Sequence, residues 1–359
     1  MMRILHLLNT HIEAGNGIVN VAIDLACLQA KMGHSVAIAS SKGDFEALLA
    51  AHGVEVFSLP LPVGGSETRS SRLSALPNAV LGLRRLVRRW RPDIIHAHMV
   101  TGVILVRLGF LRPAFRLVST VHNEFQRSAP LMGFADRVIA VSNAVAANLK
   151  RRGIHARKIA VVPNGPLETP RRASAPLPLP LALQHPAVLT VGGLYERKGI
   201  ADLIAAFEIA AATVPEAHLY IVGDGPAREV FRAQAEGSSV AGRIHFEGFQ
   251  RDPRPYMLAS DVFVLASHRE PFGLVIPEAR ACGCAIIASN VDGIPETVDG
   301  GTRGILVAAR QPAALATALV DLLTDSAGLA AWRVRAAEGL EWLSASRVAR
   351  DTLAVYADA

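Results

Sequence analysis

The sequence is poor in cysteine, in aromatic residues and in unbroken apolar runs, and each shortage closes off a class of protein. Three cysteines in 359 residues, Cys27, Cys282 and Cys284, are too few for a disulfide framework. The pair Cys282 and Cys284 has no neighbouring histidine or second cysteine pair to complete a zinc site, so all three are expected as buried, reduced thiols. Aromatic residues make up 5% of the chain, which leaves no visible stacking platform and argues against a nucleic-acid partner. Arg, Pro or Gly interrupts every stretch approaching about 18 apolar residues, so no transmembrane helix is expected. The opening MMRILHLLNT lacks a charged region followed by a cleavage site, and reads as a first strand rather than a signal peptide. A cytoplasmic location is the expectation. There is no Asp-x-Asp pair to hold a metal through a diphosphate, and the histidine spacing supports no metal site.

What is present begins with charge. Against 31 acidic residues stand 37 basic ones, a net +6, and arginine supplies most of the excess. Arg84, Arg85, Arg88, Arg89 and Arg91 crowd one segment, with Arg107, Arg112 and Arg116 soon after. On a helix, Leu83, Leu86, Val87 and Trp90 share one face and the arginines line the other. That arrangement fits a solvated outer face. It also fits peripheral contact with an anionic membrane at its inner face, or with a phosphorylated acceptor, where each basic residue near a charged surface contributes roughly 1 kcal/mol.

Short β-branched runs alternate with helical patterns from end to end, the signature of βαβ units and parallel sheets. The first half offers RILHLL, VAIA, DIIHAH, RLVST, RVIAV and KIAVV as strands. Between the first two, Ile18, Val21, Ala22, Leu25 and Met32 recur at helical spacing and close at Gly33. A Pro-rich stretch then cannot form a central strand. The second half restarts with AVLTV, HLYIV, RIHF, VFVLA, AIIAS and GILV. The expected fold class is therefore α/β, two Rossmann-like domains facing across a cleft. Residues 1–165 form the first domain, 166–185 the linker, 186–340 the second domain, and 341–359 a terminal helix crossing back to the first. A ligand is expected at the carboxyl ends of the strands.

The strongest local signal is HREPFGLVIPEARACG, where Glu270 and Glu278 bracket an apolar turn between a strand and a helix, with Pro277 suited to the helix's first position. The amides of Phe272, Gly273, Leu274 and Val275 line the approach to that helix N-terminus, where a diphosphate is stabilised. Two carboxylates so placed can accept hydrogen bonds from sugar hydroxyls. The plainer alternative is a helix-start charge and a solvated loop.

In VGGLYERKGIADLIAAF a strand ends at Gly192-Gly193, which permits close backbone approach, and Arg197-Lys198 follow as cations able to neutralise a leaving diphosphate. Exposed helix-start basics are the alternative. Gly223-Asp224-Gly225 suits a sharp turn more than a ligand. Gly15 and Gly17 invite a dinucleotide reading, but Asn20 stands at the third glycine position and no acid closes the second strand. His96, His98 and His122 sit at strand ends that open onto the crevice of such a sheet, so each is a candidate to contact sugar or phosphate or is simply structural.

Together these residues resemble family 4 of the glycosyltransferases, retaining enzymes of GT-B fold, over nearly the whole chain. The two glutamates with seven residues between them carry the likeness most specifically, and Gly17, the His-x-His strand, His122, VSNAV, VVPNG, GGLYERKG, IVGDGP and GIPETV support it in order. The resemblance implies that Arg197 and Lys198 hold the donor diphosphate, with Glu270 near the sugar hydroxyls and Glu278 at the ribose. It implies that His122 contacts the transferring sugar and that Gly17 and Gly193 lie against the donor. His122, Arg197, Lys198 and Glu270 are thus the catalytic candidates. The implied donor is a nucleoside diphosphate sugar, the acceptor a glycan, lipid-linked or small molecule, and no metal or other cofactor is expected.

The sequence departs from the family's glycine pairs at Asn16-Gly17 and Asp292-Gly293. Asn tolerates a left-handed backbone. Asp292 either influences donor choice or faces solvent. Acceptor recognition falls to first-domain loops, including Gly64-Gly65, that show no decodable pattern. The rival readings are a non-catalytic nucleotide- or glycan-binding subunit on the same fold and a nicotinamide-dependent oxidoreductase.

Overall fold

The computed structural model of the chain describes residues 1–12, 17–41, 43–59, 69–111, 113–172 and 178–359. Gly15, Asn16, the Gly64-Gly65 stretch and Arg112 lie outside the described residues. The chain divides into two compact units, one made of Met1–Ser174 with Ser344–Ala359 and the other of Ala175–Leu343.

The first unit holds β1 (Arg3–Leu7), β2 (Ser35–Ser40), β3 (Glu55–Ser58), β4 (Ile94–Ala97), β5 (Arg116–Val121), β6 (Arg137–Ala140) and β7 (Ile159–Val161). They form one parallel sheet in the order β3-β2-β1-β4-β5-β6-β7. The strand order reverses between β1 and β4, so the loops leaving those two strands diverge and open a crevice at their carboxyl ends. β3 is absent from the sequence-derived strands. It is a four-residue edge strand with a half-exposed pattern, too short and too polar to announce itself.

The helix Gly17–Lys31 follows β1 and ends before Gly33, which has a φ of +87°. Its buried face differs from the expected one. Met32 is 37% exposed, while Asp24 and Gln29 are buried among Ala22, Ile23, Leu25 and Leu28. Those two polar side chains survive burial because distant partners satisfy them. Asp24 receives a bidentate Arg171 guanidinium at 2.9–3.0 Å, and Gln29 meets the terminal helix. In the basic helix, Leu83, Val87 and Trp90 are buried and Arg84, Arg85, Arg88 and Arg89 exposed, as the periodicity requires.

The second unit holds β8 (Ala187–Val191), β9 (His218–Val222), β10 (Ile244–Gly248), β11 (Val262–Leu265), β12 (Ala285–Ser289) and β13 (Ile305–Val307), parallel in the order β10-β9-β8-β11-β12-β13. Here the reversal falls between β8 and β11. Every residue of β8 is buried, Val188 in one core and Ala187, Leu189 and Val191 in the other, because alternate side chains enter opposite faces and helices cover both.

The terminal helix Ala345–Ala357 returns to the first unit. Ser344 caps it by accepting from the Arg347 amide, and Ala345 and Ala349 pack on Leu25 and Leu28. Among the described residues no single helix is long and apolar enough to cross a membrane. Cys27 and Cys284 are buried free thiols, and burial pushes Cys27 up to about 12.

Candidate functional site

In the second unit the loops after β8 and β11 meet beside the point where strand order reverses. Arg197 and Lys198 lie on a tight turn, Glu196–Lys198, and Gly199 closes it with a φ of +66°. A Cβ at Gly199 would stand 1.9 Å from the Ala266 carbonyl oxygen, so only glycine fits. The His268 amide donates to the Arg197 carbonyl at 2.8 Å, and the His268 ring meets Asp202 at 2.7 Å. These bonds tie the two loops to each other.

The result is a compact charged group. Lys198 Nζ lies 2.5 Å from Glu270 Oε2, and the Arg197 guanidinium 3.9 Å from the same oxygen. Ser267 Oγ is 3.4 Å away. The Lys198 and Glu270 side chains are 15% and 10% exposed, while Arg197 reaches further into solvent at 38%. The structure therefore brings three of the predicted catalytic residues together.

Asp292 does not simply face solvent. With a φ of +44°, it accepts from the Glu270 amide and from Arg269 Nε, both at 3.0 Å, and the Gly293 amide donates back to the Glu270 carbonyl at 3.0 Å. Its carboxylate is a brace for the Glu270 loop, in a backbone conformation that Asp tolerates better than most residues.

Beyond Glu270, Phe272 is 1% exposed and packs edge-on toward Trp342, so its side chain belongs to the core. Gly273 has a φ of +87°, Leu274 caps the next helix, and Val275 starts it. That helix, Val275–Ala281, begins two residues earlier than Pro277 implied. The proline sits in its first turn, where a backbone N–H would have no intrahelical acceptor, so its missing donor costs no helical hydrogen bond. Glu278 is half-buried in the same turn. Gly223 and Gly225 serve close backbone packing: a Cβ at Gly223 would stand 1.9 Å from the Gly192 carbonyl, and the Leu194 amide donates to the Asp224 carbonyl. They buttress the loop that carries Gly193.

The first unit places Gly17 at the start of its first helix and His122 just past β5. For His96 and His98 the structural alternative holds: both are buried in a hydrogen-bonded network with His6. His122 Nε2 meets His98 Nδ1 at 3.2 Å, His98 Nε2 meets His6 Nδ1 at 3.0 Å, and His6 Nε2 meets Gln29 Oε1 at 2.8 Å. Gln29 Nε2 reaches the Tyr356 hydroxyl at 3.3 Å, Tyr356 meets His96 Nδ1 at 2.6 Å, and His96 Nε2 meets Thr120 Oγ1 at 2.7 Å.

Burial pushes His6 and His122 down from 6.5 to about 4, and burial with the neighbouring imidazoles pushes His96 and His98 well below their ordinary range. All four rings are neutral at pH 7. One nitrogen from each of His6, His96 and His98 lies within 4.8 Å of the other two, close enough to hold an ion. All six nitrogens of these three rings already have a hydrogen-bond partner, so the group is satisfied as a network of neutral rings.

Comparison with known proteins decides what this architecture is. Residues 15–166 match the model described as Glycosyltransferase Family 4, and residues 185–325 match Glycosyl transferases group 1. A glycogen synthase of Mycobacterium tuberculosis is 32% identical over 289 residues, covering 73% of this chain and 68% of that protein. The chain belongs to glycosyltransferase family 4. Among its family 4 relatives is the lipopolysaccharide core biosynthesis glycosyltransferase LpsE of Rhizobium meliloti, 28% identical over 68% of this chain and 70% of that one. The phosphatidyl-myo-inositol mannosyltransferase of Mycolicibacterium smegmatis is 29% identical over 83% and 79%. The fold matches Anabaena Alr3699/HepE, solved with UDP and glucose, at a TM-score of 0.81 and 22% identity over the full length of both chains. The chain is a GT-B glycosyltransferase.

Proposed function

We propose that this family 4 enzyme transfers a hexose-type sugar, with retention of configuration and without a metal, from a nucleoside diphosphate sugar to an acceptor in cell-surface glycan or glycolipid assembly. The observation that carries the donor side is the Lys198, Arg197 and Glu270 group on braced loops. Arg197 and Lys198 meet the diphosphate, with the Gly273 and Leu274 amides beside it. Glu270 releases Lys198 to the phosphate and accepts from sugar hydroxyls. Glu278 binds the ribose, Gly17 and Gly193 lie against the donor, and His122 contacts the transferring sugar.

In the transfer, the bond between the anomeric carbon and the phosphate oxygen breaks, and the acceptor hydroxyl attacks the same face. Its proton passes to a departing phosphate oxygen. The negative charge that grows on the diphosphate is what two fixed cations stabilise, which removes the need for a metal. The names of the relatives, LpsE and the phosphatidylinositol mannosyltransferase, support an acceptor on the cell envelope, and the exposed face with Arg85, Arg88 and Arg89 supports action at the membrane's inner surface.

Proton NMR of donor turnover tests the reaction. Wild type should consume one nucleoside diphosphate sugar with excess EDTA present, giving a product whose anomeric configuration matches the donor. An inverted product, or activity abolished by EDTA and restored by Mg²⁺ or Mn²⁺, would overturn the respective claim.

A further inference from the structure

Three neutral imidazoles, His6, His98 and His122, joined nose to tail cannot choose their protons independently. A neutral ring has one donor nitrogen and one acceptor, so fixing either end of the row fixes every member. One end of this row is the Gln29 amide and the other is His122. In the structure the Gln29 oxygen faces His6 Nε2, which must then donate. His6 Nδ1 is left as an acceptor and takes the His98 Nε2 proton. His98 Nδ1 in turn takes the His122 Nε2 proton.

The Gln29 amide is itself held by its other end. Its Nε2 donates to the Tyr356 oxygen, the Tyr356 hydroxyl donates to His96 Nδ1, and His96 Nε2 donates to Thr120. Every polar atom of this network is satisfied with one direction of donation throughout. Turning Gln29 over would reverse all of it and make each ring an Nδ1–H tautomer. The two polarities exclude each other, because a half-reversed row would leave two donors or two acceptors face to face in a dry interior.

We infer that Gln29 and Tyr356 are positioning residues which, through His6 and His98, couple the His122 tautomer to the orientation of the Gln29 amide, the orientation in this structure making His122 the Nε2–H tautomer with its Nδ1 lone pair unprotonated. The helix Ala345–Ala357 thereby sets the hydrogen-bonding character of a ring four hydrogen bonds away from Tyr356. An unprotonated Nδ1 accepts from a hydroxyl and cannot donate to a carbonyl or phosphate. A sugar hydroxyl is thus the group that His122 selects, a role that rests on the transferase reading above. The lowered basicity of all four rings agrees with this, because a tautomer is defined only while each ring stays neutral.

The experiment is two-bond ¹H–¹⁵N spectroscopy of the full chain labelled at histidine, at pH 7.5, with the His122→Gln spectrum used to assign that residue. Wild type should show His122 as a single neutral Nε2–H ring. An Nδ1–H ring or an imidazolium would overturn the inference without any variant, so it stays testable if a substituted chain fails to fold. Tyr356→Phe frees the Gln29 amide to rotate, and Gln29→Met removes the acceptor. Each, if folded by circular dichroism, should introduce the second tautomer at His122 and lower kcat about tenfold, as loss of an orienting partner does elsewhere, with donor KM changed by less than about threefold. A folded variant whose His122 spectrum is unchanged would overturn the relay, as would a stoichiometric metal ion on His6, His96 and His98. A changed tautomer with unchanged turnover would uphold the relay and instead remove His122 from the proposed transfer mechanism.

Discussion

The two units prepare their functional residues in opposite ways. In the first, four neutral histidines, an amide and a tyrosine form one network in which both nitrogens of His6, His96 and His98, and Nε2 of His122, have assigned partners. In the second, two cations and a carboxylate share one oxygen's surroundings at the edge of solvent. A neutral network holds orientation and gains nothing from changing partners. An ion pair beside a second cation is ready to exchange, because a diphosphate can replace the carboxylate as the counter-charge. The difference matches the two tasks proposed for these residues, orienting a hydroxyl and stabilising a leaving group.

The contrast breaks most severely at the scaffold. Gly199→Ala sets a Cβ against the Ala266 carbonyl at a positive φ, and should cost about 4 kcal/mol or more, read as insoluble protein or a much reduced urea midpoint. Next comes Lys198→Ala, which should keep the fold yet lower kcat by about 10²–10³ in a donor-turnover assay, the loss typical of one group that stabilises transition-state charge. Retained activity would place the leaving-group charge elsewhere.

Acid should separate the units. The histidines are depressed in the folded chain, from 6.5 to about 4 for His6, so the unfolded chain binds more protons between those values. Stability is therefore whole above about pH 6.5 and falls as pH drops toward 4, by about 1.4 kcal/mol per pH unit for each histidine that titrates. Melting curves from pH 7.5 to 4.5 should show this slope in wild type, and a shallower one in His6→Asn. Equal slopes would mean that the network does not carry the acid sensitivity. The smallest effect belongs to the brace. Asp292→Asn keeps an acceptor and a residue tolerant of φ +44°, and should shift stability by less than about 0.5 kcal/mol, whereas Asp292→Ala should cost about 1–2 kcal/mol and lower turnover by loosening the Glu270 loop.

The charged site was legible in sequence because its parts are local. Glu270 and Glu278 flank one turn, Arg197 and Lys198 follow one strand, and the glycines mark where backbones approach. Repeating β-branched runs likewise gave away the strands that are buried on both faces, and concealed β3, which is short and half-exposed. The histidine network was illegible for the converse reason. Gln29 and Tyr356 are 327 residues apart, and His6 and His98 are 92 apart. Only the sheet order β1-β4-β5 and the returning terminal helix bring them together. Gln29 and Asp24 also spoiled the apolar stripe by which the first helix was read, since a buried polar residue looks like a surface residue until its partner is known. Asp292 was visible as a departure from the family's glycine, but its role as a brace depends on a backbone amide that no spacing encodes.

The central claim is that the Lys198, Arg197 and Glu270 group is a nucleoside diphosphate site, and a thermal-shift titration with UDP, GDP and ADP tests it most directly. At one hundred times its dissociation constant, the right nucleotide should stabilise wild type by about 2.7 kcal/mol, a readily measured rise in melting temperature. The account predicts such a rise with one base and its loss in both Lys198→Ala and Glu278→Ala. No rise with any nucleoside diphosphate, or an equal rise in both variants, would contradict it.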